Sequence, residues 1–267
     1  MPAVQLNQLQ NQLDQLVLNF DEPPKFKAML VGIFEKYADL TYRAGQAVRS
    51  SSLIESYHIP TLILQQLDLS IATLCQQNPI QTLQNADFLW TDAYLETRQV
   101  AVILISHLPV DFSGEALQRI KKWSESESEI ILVTYLVEKG SVSIRYAAEK
   151  EWLDLIGTWT ESGKRKYQQI GLLALTGLAQ DHEFVNIPEI YSILMPLALD
   201  ASQDNFTELM TIFEILAKRS ASETTYYLKQ ILASTNNAVF LRLYRRIIPI
   251  FPMEYQLSLR AALNLNA

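Results

Sequence analysis

The chain predicts an all-α fold, an α-α superhelix of HEAT/ARM-like type made of stacked antiparallel helical hairpins. Three observations predict it. The stretch 101–108, AVILISHL, recurs seventy positions later at 171–178 as GLLALTGL, and a tryptophan stands upstream of each copy, Trp90 and Trp159. That spacing is about twice 35, within the range of helical-hairpin repeats. Glycine is scarce, 8 of 267 residues, and the regular turn signals of an all-β chain are missing. Leu, Ile, Ala, Gln and Glu dominate, a composition that favours helix. Each repeat of such a stack packs only on its neighbours, so the length fits one helical-repeat domain over 1–267 with no dividing linker.

The elements follow in order. Leu6, Leu9, Leu13, Leu16, Val17 and Phe20 recur at helical spacing opposite a Gln- and Asn-rich face, and Pro23-Pro24 end that run. Phe26, Met29, Leu30, Ile33, Phe34 and Tyr37 mark a second helix. Ser50 to Ser52 read as a loop, Pro60 opens a third helix, and Asn78-Pro79 close it. Pairs come next: 86–92 with 94–108, 115–124 with 128–138, and 142–157 with 163–179. The pattern continues as 188–199 with 205–218 and 223–233 with 238–248, and a last short helix covers 254–264. Short gaps of this kind join antiparallel neighbours. Ser126 to Glu129, ahead of IILV, have the form of overlapping N-caps with a capping box. The two echoed segments are apolar on more than one face, as the inner helix of a stacked hairpin must be.

The formal charge of −7 and pI near 5.1 argue against a general nucleic-acid binder. The charge is uneven, however. Residues 1–200 hold 15 Lys and Arg against 24 Asp and Glu, while 201–267 hold 7 against 5, which leaves room for a local basic face. Cys75 is the single cysteine and excludes an internal disulfide; Ile63, Leu67, Ile71 and Leu74 place it on a helical stripe as an inert core thiol. No signal peptide is visible at the N-terminus, and the apolar windows 100–105 and 130–137 are too short to span a bilayer. A cytoplasmic protein without membrane contact is the expectation.

Most searches for chemistry return nothing. His58, His107 and His182 are not at metal-ligand spacing; His107 reads as a packed, hydrogen-bonded histidine, and Asp181-His182-Glu183 as a solvated loop. Gly157 to Arg165 only approaches a phosphate-binding loop, with five residues between the glycines and Arg165 where Ser or Thr is needed. No cofactor and no metal are therefore expected. Three basic, aromatic-bearing stretches remain: Arg119, Lys121 and Lys122 before Trp123; Lys164, Arg165 and Lys166 before Tyr167; and Arg242, Arg245 and Arg246 around Tyr244. Such groups on the inner rim of a helical stack can track phosphates. Ordinary solvated faces with snorkelling stems are the preferred account of them.

Helical pairs with tryptophan-containing openings, Trp90…Glu96-Thr97-Arg98…Ala101 and Trp159-Thr-Glu-Ser162, resemble the HEAT-like repeat DNA alkylation-repair family over roughly residues 25–250. The resemblance implies a C-shaped all-helical stack. Glycosylase members bind damaged duplex DNA in a concave basic groove and remove alkylated bases. Their catalytic element is similar to W-x-x-x-D, whose carboxylate stabilises positive charge as the glycosidic bond breaks. Here the matching segment is Trp123-Ser-Glu-Ser-Glu127, one methylene longer, with no Asp between Asp111 and Asp154. Gln168-Gln169 stand where the family pattern has arginines. These departures imply a non-catalytic relative.

The first functional expectation is thus a non-enzymatic scaffold binding a protein or peptide on its concave face. The alternative is a duplex-DNA-binding protein or alkylated-base glycosylase, in which Glu127 and Trp123 would form the catalytic element.

Overall fold

The computed structural model describes residues 4–39 and 54–265. The loop expected at Ser50 to Ser52 lies outside the described residues. Among them are fifteen α-helices and no named strand. The first eight are α1 (Leu6–Val17), α2 (Pro23–Tyr37), α3 (Thr61–Gln77), α4 (Pro79–Trp90), α5 (Leu95–Ser106), α6 (Ser113–Ser126), α7 (Ile130–Glu138) and α8 (Ile144–Ala147). The others are α9 (Glu149–Glu161), α10 (Arg165–Gln180), α11 (Ile187–Leu199), α12 (Phe206–Arg219), α13 (Ala221–Ser234), α14 (Ala238–Ile247) and α15 (Met253–Leu265). They divide into two compact units, Met1–Ala148 and Glu149–Ala267.

Each unit has the pairwise packing of an α-α stack. In the first, α1, α3, α5 and α7 touch in series, while α2 packs on α4 and α6 on α8. In the second, α10, α12 and α14 form one row and α9, α11, α13 and α15 the other. The echoed segments form α5, which lies between α3 and α7 in its row, and α10, which begins the row of the second unit. Nine of the twelve residues of α5 and nine of the sixteen of α10 are buried, so neither helix keeps more than a narrow solvent stripe. α5 contacts α3, α4 and α7; α10 contacts α9, α11 and α12. Each fully buried Leu or Ile on them contributes about 1.5–3 kcal/mol.

Close approach at the α9–α10 pair depends on Gly171. A Cβ there would sit 2.6 Å from Thr160 Cγ2 and 3.3 Å from the Thr160 amide nitrogen. Further along, Arg219 fastens the end of α10. Its Nη1 donates to the carbonyls of Leu178 and Ala179 at 3.2 and 3.1 Å, and its Nη2 to that of Phe184. The guanidinium thereby adds donors at the carbonyl end of α10, where the Leu178 oxygen also accepts from the Asp181 amide, and ties the turn that follows to it.

Two helix boundaries differ from the sequence reading. Asn78-Pro79 do close α3, but they also open α4, which starts at Pro79 and not at 86. Proline at the first helical position lacks only an amide that would have no partner there, and the Asn78 carbonyl accepts from Thr82 at 2.9 Å. The single helix expected over 142–157 is broken at Ala148, with φ −141° and ψ 50°, into α8 and α9. Buried Arg145 steadies the turn before the break, donating to Ser141 Oγ at 3.0 Å and to the Glu138 carbonyl at 2.6 Å.

His107 is hydrogen-bonded, and its partner is Asp68 of α3. Lys139 Nζ reaches the other Asp68 oxygen at 2.8 Å. His107 and Lys139 are the C-caps of α5 and α7, so both donors stand at the negative ends of helix dipoles. Burial raises the Asp68 carboxyl, but hydrogen bonds from His107 and Lys139 outweigh it and hold the group below its usual range. Cys75 is fully buried, and burial pushes its thiol up to about 12. Among the described residues, no helix is long and apolar enough to cross a membrane.

Two outcomes are expected. Gly171→Val forces α9 and α10 apart and costs about 1–3 kcal/mol, read as a lowered Tm with retained helical circular dichroism. Asp68 has a folded pKa below its unfolded one, so its contribution is present above the unfolded value (about 3.9) and is lost as pH falls through the folded value. Wild type should therefore lose Tm more steeply than Asp68→Asn between about pH 5 and pH 2, as thermal melts across that range would register.

Candidate functional site

Three of the basic or aromatic residues singled out in sequence fall on one face of α6. Arg119, Lys122 and Trp123 sit at i, i+3 and i+4, and Ser126 extends the same face by one turn. Opposite them α4 presents Asp87 and Trp90. Together these residues line a cleft of about 610 Å³. Arg119 crosses it as a bidentate fork, Nε and Nη2 on the two Asp87 oxygens at 2.9 and 2.6 Å. Lys122 is exposed and has no ion-pair partner among the described residues. Lys121 pairs with Glu125 on its own helix.

The floor of the cleft is aromatic. Trp90 and Trp123 stack with centroids 4.5 Å apart and an interplanar angle of 6°. They are only 8% and 4% exposed, so they offer edges and not faces to a ligand. The Arg98 guanidinium of α5 lies 4.4 Å from the Trp90 centroid and forms an ion pair with Glu127. Cation and ring attract through the ring quadrupole.

Glu127 itself is buried, and both of its oxygens are taken. One accepts from Arg98; the other accepts from the amides of Ser128 and Glu129 at 2.7 and 2.8 Å. This carboxylate, and no serine capping box, organises the entry to α7, whose N-cap Glu129 makes no side-chain capping bond. The physical reason is reach: Glu127 follows α6 directly and folds over the free amides just beyond it. Trp123, Trp90, Arg98 and Glu127 thus form a continuous chain of contacts that ends four residues from where it began. Trp90 and Arg98 stood in the quoted motif, but their union with the Trp123–Glu127 segment needed the α4, α5 and α6 packing.

The remaining cations lie in the second unit. Lys164, Arg165 and Lys166 are exposed at the start of α10, where positive charge opposes the helix dipole. Arg165 is 3.2 Å from Asp204, and Lys164 lies over Tyr167. Arg242, Arg245 and Arg246 are exposed on α14. Arg242 bonds Gln203 at 2.7 Å and stacks on Phe206, so Arg165 and Arg242 both address the segment joining α11 to α12. Gly157 is a mid-helix residue of α9, which removes the phosphate-loop reading of Gly157 to Arg165 on structural grounds. Asp181, His182 and Glu183 form a turn outside the core, as expected.

A second polar cavity of about 460 Å³ in the first unit contains His58, Asp68, Glu96, Tyr135 and Lys139. Its carboxylates are committed. Asp68 is held as described above, and buried Glu96 accepts from Ser56 Oγ and from the amides of Tyr57 and His58 at 2.6, 3.0 and 2.8 Å. That clamp keeps His58 at φ 53°, a left-handed conformation uncommon outside glycine. Burial pushes the Tyr135 phenol up to about 12, with the Asp68 charge adding to it.

Residues 67–224 match the family model described as DNA alkylation repair enzyme. No curated protein and no solved structure matches the chain. The matched segment takes in the α4–α6 cleft, both echoed helices and more than half of the sequence, and the protein belongs to the DNA alkylation repair enzyme family.

Proposed function

We propose that the protein binds duplex DNA through the α4–α6 cleft, and that Glu127 holds the scaffold together instead of serving base excision. The observation that carries the reading is the exposed, unpaired Lys122 beside Arg119 on one helix face, in a chain of the alkylation-repair family. The Lys122 ammonium can neutralise a backbone phosphate and release a counterion, while Arg119, held by Asp87, fixes the wall beside it. The stacked tryptophans support this as a rigid floor that fixes where those cations project. They are too buried to act as a stacking platform for a base.

The assignment of Glu127 rests on its hydrogen bonds. A carboxylate that stabilises a developing sugar cation must face the sugar with a free oxygen. Here the Arg98 guanidinium and two backbone amides occupy both oxygens.

Fluorescence anisotropy with a labelled duplex, titrated at about 50 and 200 mM salt, tests the binding. Affinity should fall steeply with salt, and Lys122→Ala should weaken binding and lower the slope of log K against log salt by about 1. Absence of binding at the lower salt would sink the proposal. For Glu127, removal of one member of a buried pair predicts that Glu127→Ala loses about 3–5 kcal/mol of stability. Folded Glu127→Gln should bind duplex as wild type does. If wild type releases alkylated bases from DNA and folded Glu127→Gln does not, the scaffold assignment is wrong.

A further inference from the structure

The second unit carries a groove of opposite character, about 650 Å³ in volume, between α9 and α11. Its walls hold four carboxylates, Asp154 and Glu161 on α9 and Glu189 and Asp200 on or next to α11, and no lysine or arginine. All four are exposed, and none has an ion pair or side-chain hydrogen bond among the described residues. The spacing is orderly. Asp154 and Glu161 are seven apart and Glu189 and Asp200 eleven apart, so each pair lies on one helix face. The two acidic walls run for about 16 Å along α11 at 1.5 Å per residue.

Three features beyond charge count bear on what the groove can accept. Glu161 is the last residue of α9 and Asp200 the C-cap of α11, where the helix dipole already concentrates negative potential and a carboxylate is unfavourable by itself. Pro196 lies inside α11 and has no amide hydrogen to offer the Ser192 carbonyl, and both residues line the groove. A hydrogen-bond acceptor therefore stands there with its helical donor deleted. Between the walls, a Cβ added at Gly157 would meet nothing within 4 Å, so the groove is open along its midline. Its base is apolar, formed by Leu153, Ile193 and Leu197.

We infer that this groove docks a basic peptide segment of a partner protein, with lysine or arginine side chains on the carboxylates and the Ser192 carbonyl, and a small apolar residue over Gly157. The charge excludes a nucleic acid as occupant, since phosphates would face four unpaired carboxylates. Guanidinium and ammonium groups, which donate without accepting, complete what the walls leave unpaired. The site is separate from the α4–α6 cleft, and the two bind ligands of opposite sign.

The test uses the full chain and a fluorescein-labelled twelve-residue peptide, three repeats of Lys-Arg-Ala-Leu. Saturable binding is expected, and a peptide with Glu in place of Lys and Arg should not bind. Gly157→Leu fills the groove without changing any charge, which separates occupancy of the groove from general attraction to an acidic protein. It should weaken the peptide by about tenfold with Tm retained. The double variant Asp154→Asn with Glu189→Gln should weaken it as well, and decides the matter if Gly157→Leu is unstable. Duplex affinity should be unchanged in these variants, while Lys122→Ala should leave peptide affinity alone. The inference fails if wild type does not bind the basic peptide, or if the folded variants bind it as tightly as wild type.

Discussion

A helix that is apolar on nearly every side has to be enclosed, and the architecture of each unit follows from enclosing one. α5 and α10 supply that demand. Hairpin partners cover one flank and other helices the rest: α4 with α3 and α7 around α5, and α9 with α11 and α12 around α10. Conformational entropy opposes every ordered residue by roughly 1–2 kcal/mol. The continuous interior of each unit offsets it, which no isolated hairpin could do. The charged groups that enter that interior bring partners with them: Glu96 is met by two amides and a hydroxyl, Arg145 by a carbonyl and a hydroxyl.

Upon that frame the protein distributes charge by location more than by amount. A formal −7 spread evenly would repel a polyanion everywhere. Instead α6 collects Arg119, Lys121 and Lys122 on one stretch, while the α9–α11 groove collects carboxylates and no cation. Net charge therefore says little about which ligand a given face accepts. Local sign within a Debye length of about 8–10 Å decides.

Helix content was legible because the 3.6-residue period is strong, and the echo at 101–108 and 171–178 pointed to the two most enclosed helices. Less could be read where one residue serves two elements. Pro79 looks like a stop from upstream and a start from downstream, and only the packed α3–α4 pair shows that it is both. Ala148 carries no breaking signal at all; its backbone turns because the segment around Arg145 is anchored. The site was half visible. Trp123, Glu127, Arg119 and Lys122 are close in sequence, whereas Trp90 and Arg98 meet them only through helix packing. The acidic groove escaped notice altogether, since its walls are thirty-five residues apart (Asp154 to Glu189) and each carboxylate alone resembles an ordinary solvated side chain.

Arg219 has a consequence for how this chain tolerates change. The guanidinium grips Leu178, Ala179 and Phe184 solely through main-chain oxygens, which every amino acid presents alike. Side chains at 182 and 183 can therefore drift without disturbing the end of α10, provided the backbone keeps its path, which the Asp181 carboxylate helps to hold through the Glu183 amide. The fork at 219 has no such freedom: lysine has a single nitrogen and could not span oxygens contributed by separate turns. One side chain thus anchors a stretch of main chain nearly forty residues upstream.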